Sequence, residues 1–157
     1  MKNIYNTMTD YTFMRSGFDQ IQTETEEDVQ KNVISLITFF TENALNSASI
    51  YIKHGKRNCI VAEDIKRSLM LETLLFGKRE NSAEKIEKIK KELFDEEEEE
   101  IIGEEKEELS PDEFKLSECG CAMCSCLNTI HEKWGKWEPS SSLELIIKKQ
   151  IDEIPTN

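Results

Sequence analysis

From Glu26 to His54 the chain carries neither glycine nor proline, so nothing in that stretch interrupts a helix. Val29, Val33, Leu36, Phe40, Ala44, Ala48 and Tyr51 recur at helical spacing. Ile34, Ile37, Phe39, Leu45, Ile50 and Ile52 make further faces apolar. A helix that is apolar on several sides is buried on several sides. At 1.5 Å per residue it spans roughly 43 Å, more than the diameter of a domain of about 80 residues. The economical cover is a second chain crossing it, with Val33, Leu36, Ile37, Phe40, Ala44, Ala48 and Tyr51 as the dimer interface. The alternative is cover from the chain's own C-terminal helices.

The flanks carry start and stop signals. Thr25 with Asp28 three residues on fits a helix start, and Glu26 and Glu27 suit its first turn. Lys53 and His54 sit where cations favour a helix C-terminus, and Gly55 offers a left-handed cap. Asn58 to Val61 reads as extended. Ala62 opens a shorter helix with Ile65, Leu69 and Leu74 inward, ended by Gly77 and Lys78. Upstream, residues 1–8 read as a loose arm, and Asp10 to Phe18 as a short helix with Phe13, Met14 and Phe18 as its apolar contacts. Downstream, Asn81 with Glu84 resembles a cap pair for a third helix with the stripe Ile86, Ile89 and Leu93.

Charge is spread unevenly over the 157 residues. The net charge of -12 divides into -1 for residues 1–80 and -11 for residues 81–157. The runs DEEEEE (95–100) and EEKEE (104–108) repel themselves and read as a linker, with docking to a basic protein as the functional alternative. Phosphate affinity comes from Lys and Arg, so a bulk argument for DNA binding fails. The N-terminus has no continuous apolar run, and nothing approaches the roughly 20 apolar residues of a membrane span. The expected setting is inside a cell, or inside a particle assembled there, where thiols are normally reduced.

The segment YIKHGKRNCIVAEDIKRSL resembles the second loop and third helix of the histone fold, through His54, Lys56, Arg57, Ile60, Ala62, Asp64 and Ile65. It looks closest to the core-histone type that pairs in a tetramer. It is also similar to histone-like centromere and transcription-factor subunits. The likeness covers about residues 9–76. It implies a short–long–short helix order, a dimer through crossed long helices, and DNA contact at the paired loops. It also implies a bridge between Arg57 and Asp64 that braces the elbow, a guanidinium gripping a carboxylate at two points. Arg15, Lys53, Lys56 and Arg57 are then the candidate DNA-binding residues. The chain departs from the family at Glu24, where a core histone inserts a minor-groove arginine, and at Cys59 and Val61, where threonines are usual. The long basic tail of histones is absent, and wrapping by inserted arginines loses support.

Cys119, Cys121, Cys124 and Cys126 form C-x-C-x2-C-x-C. Thiolates are good zinc ligands, and zinc takes four in a tetrahedron. The cluster is tighter than the usual two separated pairs, so a single site needs a loop wrapped round the metal. His131 offers a substitute for one cysteine, or is a surface residue. Buried free thiols and disulfides are the alternatives to zinc. Leu127, Ile130, Trp134 and Trp137 share one helical face, with the tryptophans as packing anchors. After Pro139, Leu143, Ile146, Ile147, Ile151 and Ile154 mark another amphipathic helix that can pair with the first as a hairpin. There is no Gly-rich phosphate loop, no H-E-x-x-H and no G-x-S-x-G.

These features predict an all-α, non-enzymatic protein: a histone-fold dimerisation domain (1–80), an extra helix (81–94), an acidic linker (95–113) and a cysteine cluster with a helical hairpin (114–157). The expected partner is another histone-fold chain, in a homo- or heterodimer, with DNA as a weaker second partner. The expected role is DNA organisation or transcription-complex assembly, in the nucleus. The alternative is a structural assembly protein, such as a virion component of a large DNA virus, in which the fold serves only protein docking.

Overall fold

A computed structural model describes residues 25–95 and 113–156. The helix expected at Asp10 to Phe18, with Arg15, and most of the acidic linker lie outside the described residues. Among the described residues all regular structure is helical: α1 (Glu26–His54), α2 (Ala62–Phe76), α3 (Ser82–Phe94), α4 (Ala122–Asn128), α5 (Ile130–Lys136) and α6 (Ser142–Asp152).

The long helix starts on a reciprocal cap. The Thr25 hydroxyl accepts from the Asp28 amide at 3.2 Å, and the Asp28 carboxylate accepts from the Thr25 amide at 3.3 Å. Its other end corrects the sequence expectation. Gly55 has φ -80°, and the left-handed residue is Lys56 at φ 53°. The Lys56 amide donates to the Lys53 carbonyl at 3.1 Å and the Arg57 amide to the Ile52 carbonyl at 2.9 Å. These two bonds are the Schellman pattern, set one residue later than the glycine invites. Asn81 is also left-handed, at φ 66°, with no side-chain cap bond, so it does not act with Glu84 as a cap pair.

Packing divides α1 into two parts. α2 and α3 both lie against it, and Phe39, Phe40 and Phe76 meet edge-on or tilted where α2 ends. α3 buries no residue fully. The C-terminal end of α1 belongs to a core of Tyr51, Met70, Leu71, Cys124, Leu127, Ile130, Trp134 and Ile151, so residues 113–156 share a core with α1 and α2. Phe40, Ala44, Ala48 and Tyr51, expected at a dimer interface, are buried within this chain. Leu36 is half-buried, whereas Val33 and Ile37 stay exposed. The chain's own helices therefore cover Phe39, Phe40, Ala44, Ala48, Tyr51 and Ile52 and leave Val29, Val33, Ile34, Ile37, Leu45 and Ile50 of α1 bare.

α2 is more polar inside than its pattern implies. Asp64, Ser68, Glu72 and Thr73 are buried with Met70 and Leu71, while Ile65, Leu69 and Leu74 are half-buried. Glu72 Oε1 accepts from the Ser47 hydroxyl at 2.8 Å, and Oε2 forms an ion pair with Arg79 at 2.5 Å. The expected helix through Leu127 to Trp137 is two short helices broken at Thr129, and Trp137 follows the second. Lys148 secures that end. Its ammonium donates to the Trp134 and Trp137 carbonyls at 3.2 and 2.6 Å and lies over both indole rings.

Candidate metal centre

The elbow after α1 is held by a buried ion pair. Arg57 donates to both Asp64 oxygens, at 2.8 and 2.5 Å, and the two side chains are 4% and 0% exposed. Asp64 also accepts from the Val61 amide at 2.9 Å. Val61 has no hydroxyl to cap α2, so the Asp64 carboxylate alone serves that helix's N-terminus. Arg57 further lies under the Tyr51 and Phe114 rings. A guanidinium so enclosed does not reach a phosphate, which removes Arg57 from the candidate DNA contacts. Lys53 and Lys56 remain exposed beside it.

Residues 113–121, which have no regular secondary structure, run as a strap across the end of α1. Tyr51 anchors it: its hydroxyl donates to Asn128 Oδ1 at 2.6 Å and accepts from the Ser117 amide at 3.2 Å. Asn128 closes the ring of contacts by donating to the Ser117 carbonyl at 2.8 Å. Burial raises the Tyr51 hydroxyl above its ordinary pKa, which keeps it a donor. Arg67 adds a clamp from α2, donating to the Leu127 carbonyl at 2.9 Å and to the Asn128 carbonyl at 3.3 Å.

The strap brings Cys119 and Cys121, and the first turn of α4 brings Cys124, to the last residue of α1. The ligand atoms of His54, Cys119, Cys121 and Cys124 all lie within 4.8 Å of one another, and these four could hold a metal ion. His54 Nδ1 is 3.3 Å from Cys124 Sγ and 3.5 Å from Cys121 Sγ. Cys121 is the N-cap of α4, and its sulfur accepts from the Cys124 amide at 3.4 Å. That bond holds the Cys121 thiol down at about 6, while burial pushes the Cys124 thiol up to about 11.

Two expected ligands are elsewhere. Cys126 Sγ accepts from Lys133 Nζ at 3.3 Å and is not among the four. His131 Nε2 lies 2.7 Å from Glu63 Oε1, where it ties α5 to α2. The physical reason is local. Once Cys124 turns inward on α4, Cys126 falls two residues round the helix and away from it. His54, expected to favour the helix C-terminus by its charge and to form part of the histone likeness, was not among the expected ligands. The available signal was that an eight-residue cluster is too short to wrap a metal by itself, and that the chain has only 2 histidines.

Among the described residues no helix is long and apolar enough to cross a membrane. No family model, no curated protein and no solved structure matches the chain.

Proposed function

We propose that the chain is a non-enzymatic histone-fold subunit that pairs through α1 with a second copy of itself and carries a structural zinc ion on His54, Cys119, Cys121 and Cys124. The observation that carries the pairing is the bare apolar band along α1. Val29, Val33, Ile34, Ile37, Leu45 and Ile50 are exposed, from 43% at Ile50 to 59% at Ile37. An exposed apolar run of this kind is an interaction surface rather than ordinary surface scatter. The band is centred near the middle of α1, so an antiparallel second copy buries it against itself, residue against residue. That crossing also turns the acidic first turn, Glu26, Glu27 and Asp28, toward Lys53 of the other copy. The Arg57–Asp64 clasp at the elbow adds support, because it is the brace that the histone resemblance implies.

Zinc fits the donor set. Three thiolates and one imidazole are a usual structural zinc shell. Tetrahedral bonds of about 2.3 Å to sulfur and 2.0 Å to nitrogen place a nitrogen and a sulfur about 3.5 Å apart and two sulfurs about 3.8 Å apart. The 3.3 and 3.5 Å separations round His54 are close to that. The ion joins the end of α1 to the strap and leaves no open position for catalysis.

The burial of Arg57 favours protein assembly over DNA organisation as the role. With Arg57 enclosed, Lys53 and Lys56 are the described candidates for phosphate contact, on a chain of net charge -12. Sedimentation equilibrium of the zinc-loaded chain tests the pairing: a dimer at micromolar concentration is expected, and a folded monomer defeats it. Metal analysis after reduction tests the ion. DNA titration at two salt concentrations separates the roles, because a steep salt slope lost on changing Lys53 and Lys56 restores DNA organisation.

A further inference from the structure

Cys121 and Cys124 are set up for a second reaction besides metal binding. They stand one helical turn apart at the start of α4, and the Cys124 amide points at the Cys121 sulfur. Cys121 is partly open to solvent, while Cys124 is fully buried behind it. Cys126 is held off by Lys133, so it does not compete for either sulfur.

We propose that the zinc centre is a peroxide-sensitive clasp: oxidation joins Cys121 to Cys124, zinc leaves, and the thiol end of the strap lets go of His54. This rests on the zinc assignment above. The Cys121 sulfur attacks one oxygen of hydrogen peroxide, the O–O bond breaks, and hydroxide leaves and takes a proton to become water. The sulfenic acid so formed is attacked by the Cys124 sulfur. The S–S bond forms, the S–O bond breaks, and the second hydroxide is protonated to water. Two thiolates lose two electrons in total, and one peroxide gains them with two protons. Zinc stays divalent. It is left with Cys119 and His54, half of its shell, and dissociates.

The effect of losing the ion is local. The strap is then held by the contacts among Tyr51, Ser117 and Asn128 and by the Arg67 clamp. α5 and α6 keep independent burial through Ile130, Trp134 and Ile151, and Trp134 Nε1 still donates to Asp152 at 2.7 Å. The segment 117–126 therefore loosens while 130–151 stays docked. What opens is the end of α1, with His54 and Lys53 beside it.

The test uses the full chain, reduced and loaded with zinc, then treated with a small excess of hydrogen peroxide. A chromogenic zinc indicator, disulfide mapping by mass spectrometry and hydrogen exchange are read together. The expected result is release of one zinc per chain, a Cys121–Cys124 disulfide, and exchange at 117–126 faster by about tenfold or more with 130–151 unchanged. Cys126→Ser should respond as the unaltered chain does, and a thiol reductant with added zinc should reverse every change. If the reduced chain binds no zinc, the zinc assignment falls and the clasp with it. If zinc is bound and peroxide leaves it in place, or the disulfide forms elsewhere, the clasp alone is overturned.

Discussion

His54 Nδ1 lies 3.3 Å from Cys124 Sγ, although the two residues are seventy positions apart in the chain. That distance makes the candidate metal group a product of the fold rather than of a local loop. The first prediction contrasts the two. His54→Ala should weaken zinc binding by about a hundredfold, since roughly 10–16 kcal/mol of apparent affinity is shared among four ligands. Cys126→Ala and His131→Ala should leave it unchanged. Competition against a chromogenic chelator measures all three, and the reverse order would return the site to a self-contained cysteine loop.

Asp64→Asn should destabilise the chain by about 3–5 kcal/mol, because Arg57 is then left as a buried charge without its counterion. Glu27→Gln, which removes an exposed pair with Lys31, should produce no measurable change. Urea unfolding with an unchanged slope distinguishes them. Equal effects would mean that the elbow is held by something other than the clasp.

Lys56→Gly should stabilise the chain by roughly 1 kcal/mol, since a lysine at φ 53° carries a steric cost that glycine lacks. Gly55→Ala should stabilise by roughly 0.5 kcal/mol, because φ is negative there. Its added Cβ meets the Tyr51 carbonyl oxygen at 3.4 Å, an ordinary contact. Thermal unfolding decides the matter. A loss of stability in Gly55→Ala would put the left-handed residue back at the glycine.

Glu63 links α2 to α5 and gives a pH dependence. Burial works against its carboxylate, but hydrogen bonds from His131 and Arg67 outweigh that and hold its pKa below the ordinary 4.5. A depressed pKa means that the unfolded chain takes up the proton first on acidification. The stability Glu63 contributes is therefore fully present above about pH 5.5 and fades as the pH falls through 4.5 and below. Unfolding of Glu63→Gln should differ from the unaltered chain at pH 6 and converge with it near pH 3. A gap that widens in acid would reverse the sign.

Ile37→Asp should abolish association without unfolding the chain, because Ile37 is 59% exposed in the single chain. Sedimentation and far-ultraviolet circular dichroism on the same sample read both properties. A dimer that survives the charge places the interface away from α1.

The helical class and the extent of α1 were legible because periodicity and the absence of breakers are local signals. Arg57 and Asp64 could be paired in advance only through the histone resemblance, which implies that bridge. Which helix face meets which partner was not legible. Phe40, Ala44, Ala48 and Tyr51 have the same pattern whether a second chain or α2 and the strap cover them. The break at Thr129 and the left-handed Lys56 escaped because neither leaves a mark in the apolar spacing. The metal group was half legible. Spacing collected the cysteines, but a histidine contributed across seventy residues leaves no mark in a short window.

The contact between His54 and the strap closes a circuit of chain that contains α2, α3 and the acidic runs. The entropy of closing such a circuit rises only with the logarithm of its length, about 0.6 kcal/mol for each doubling. Changes of a few residues among the glutamates of 96–108 therefore cost the closure almost nothing. A change of one residue between Cys119 and Cys124 resets the angle of every thiol. Length is thus cheap in one part of the circuit and fixed in the other, and drift in this chain should collect among the glutamates while the spacing of the thiols stays constant.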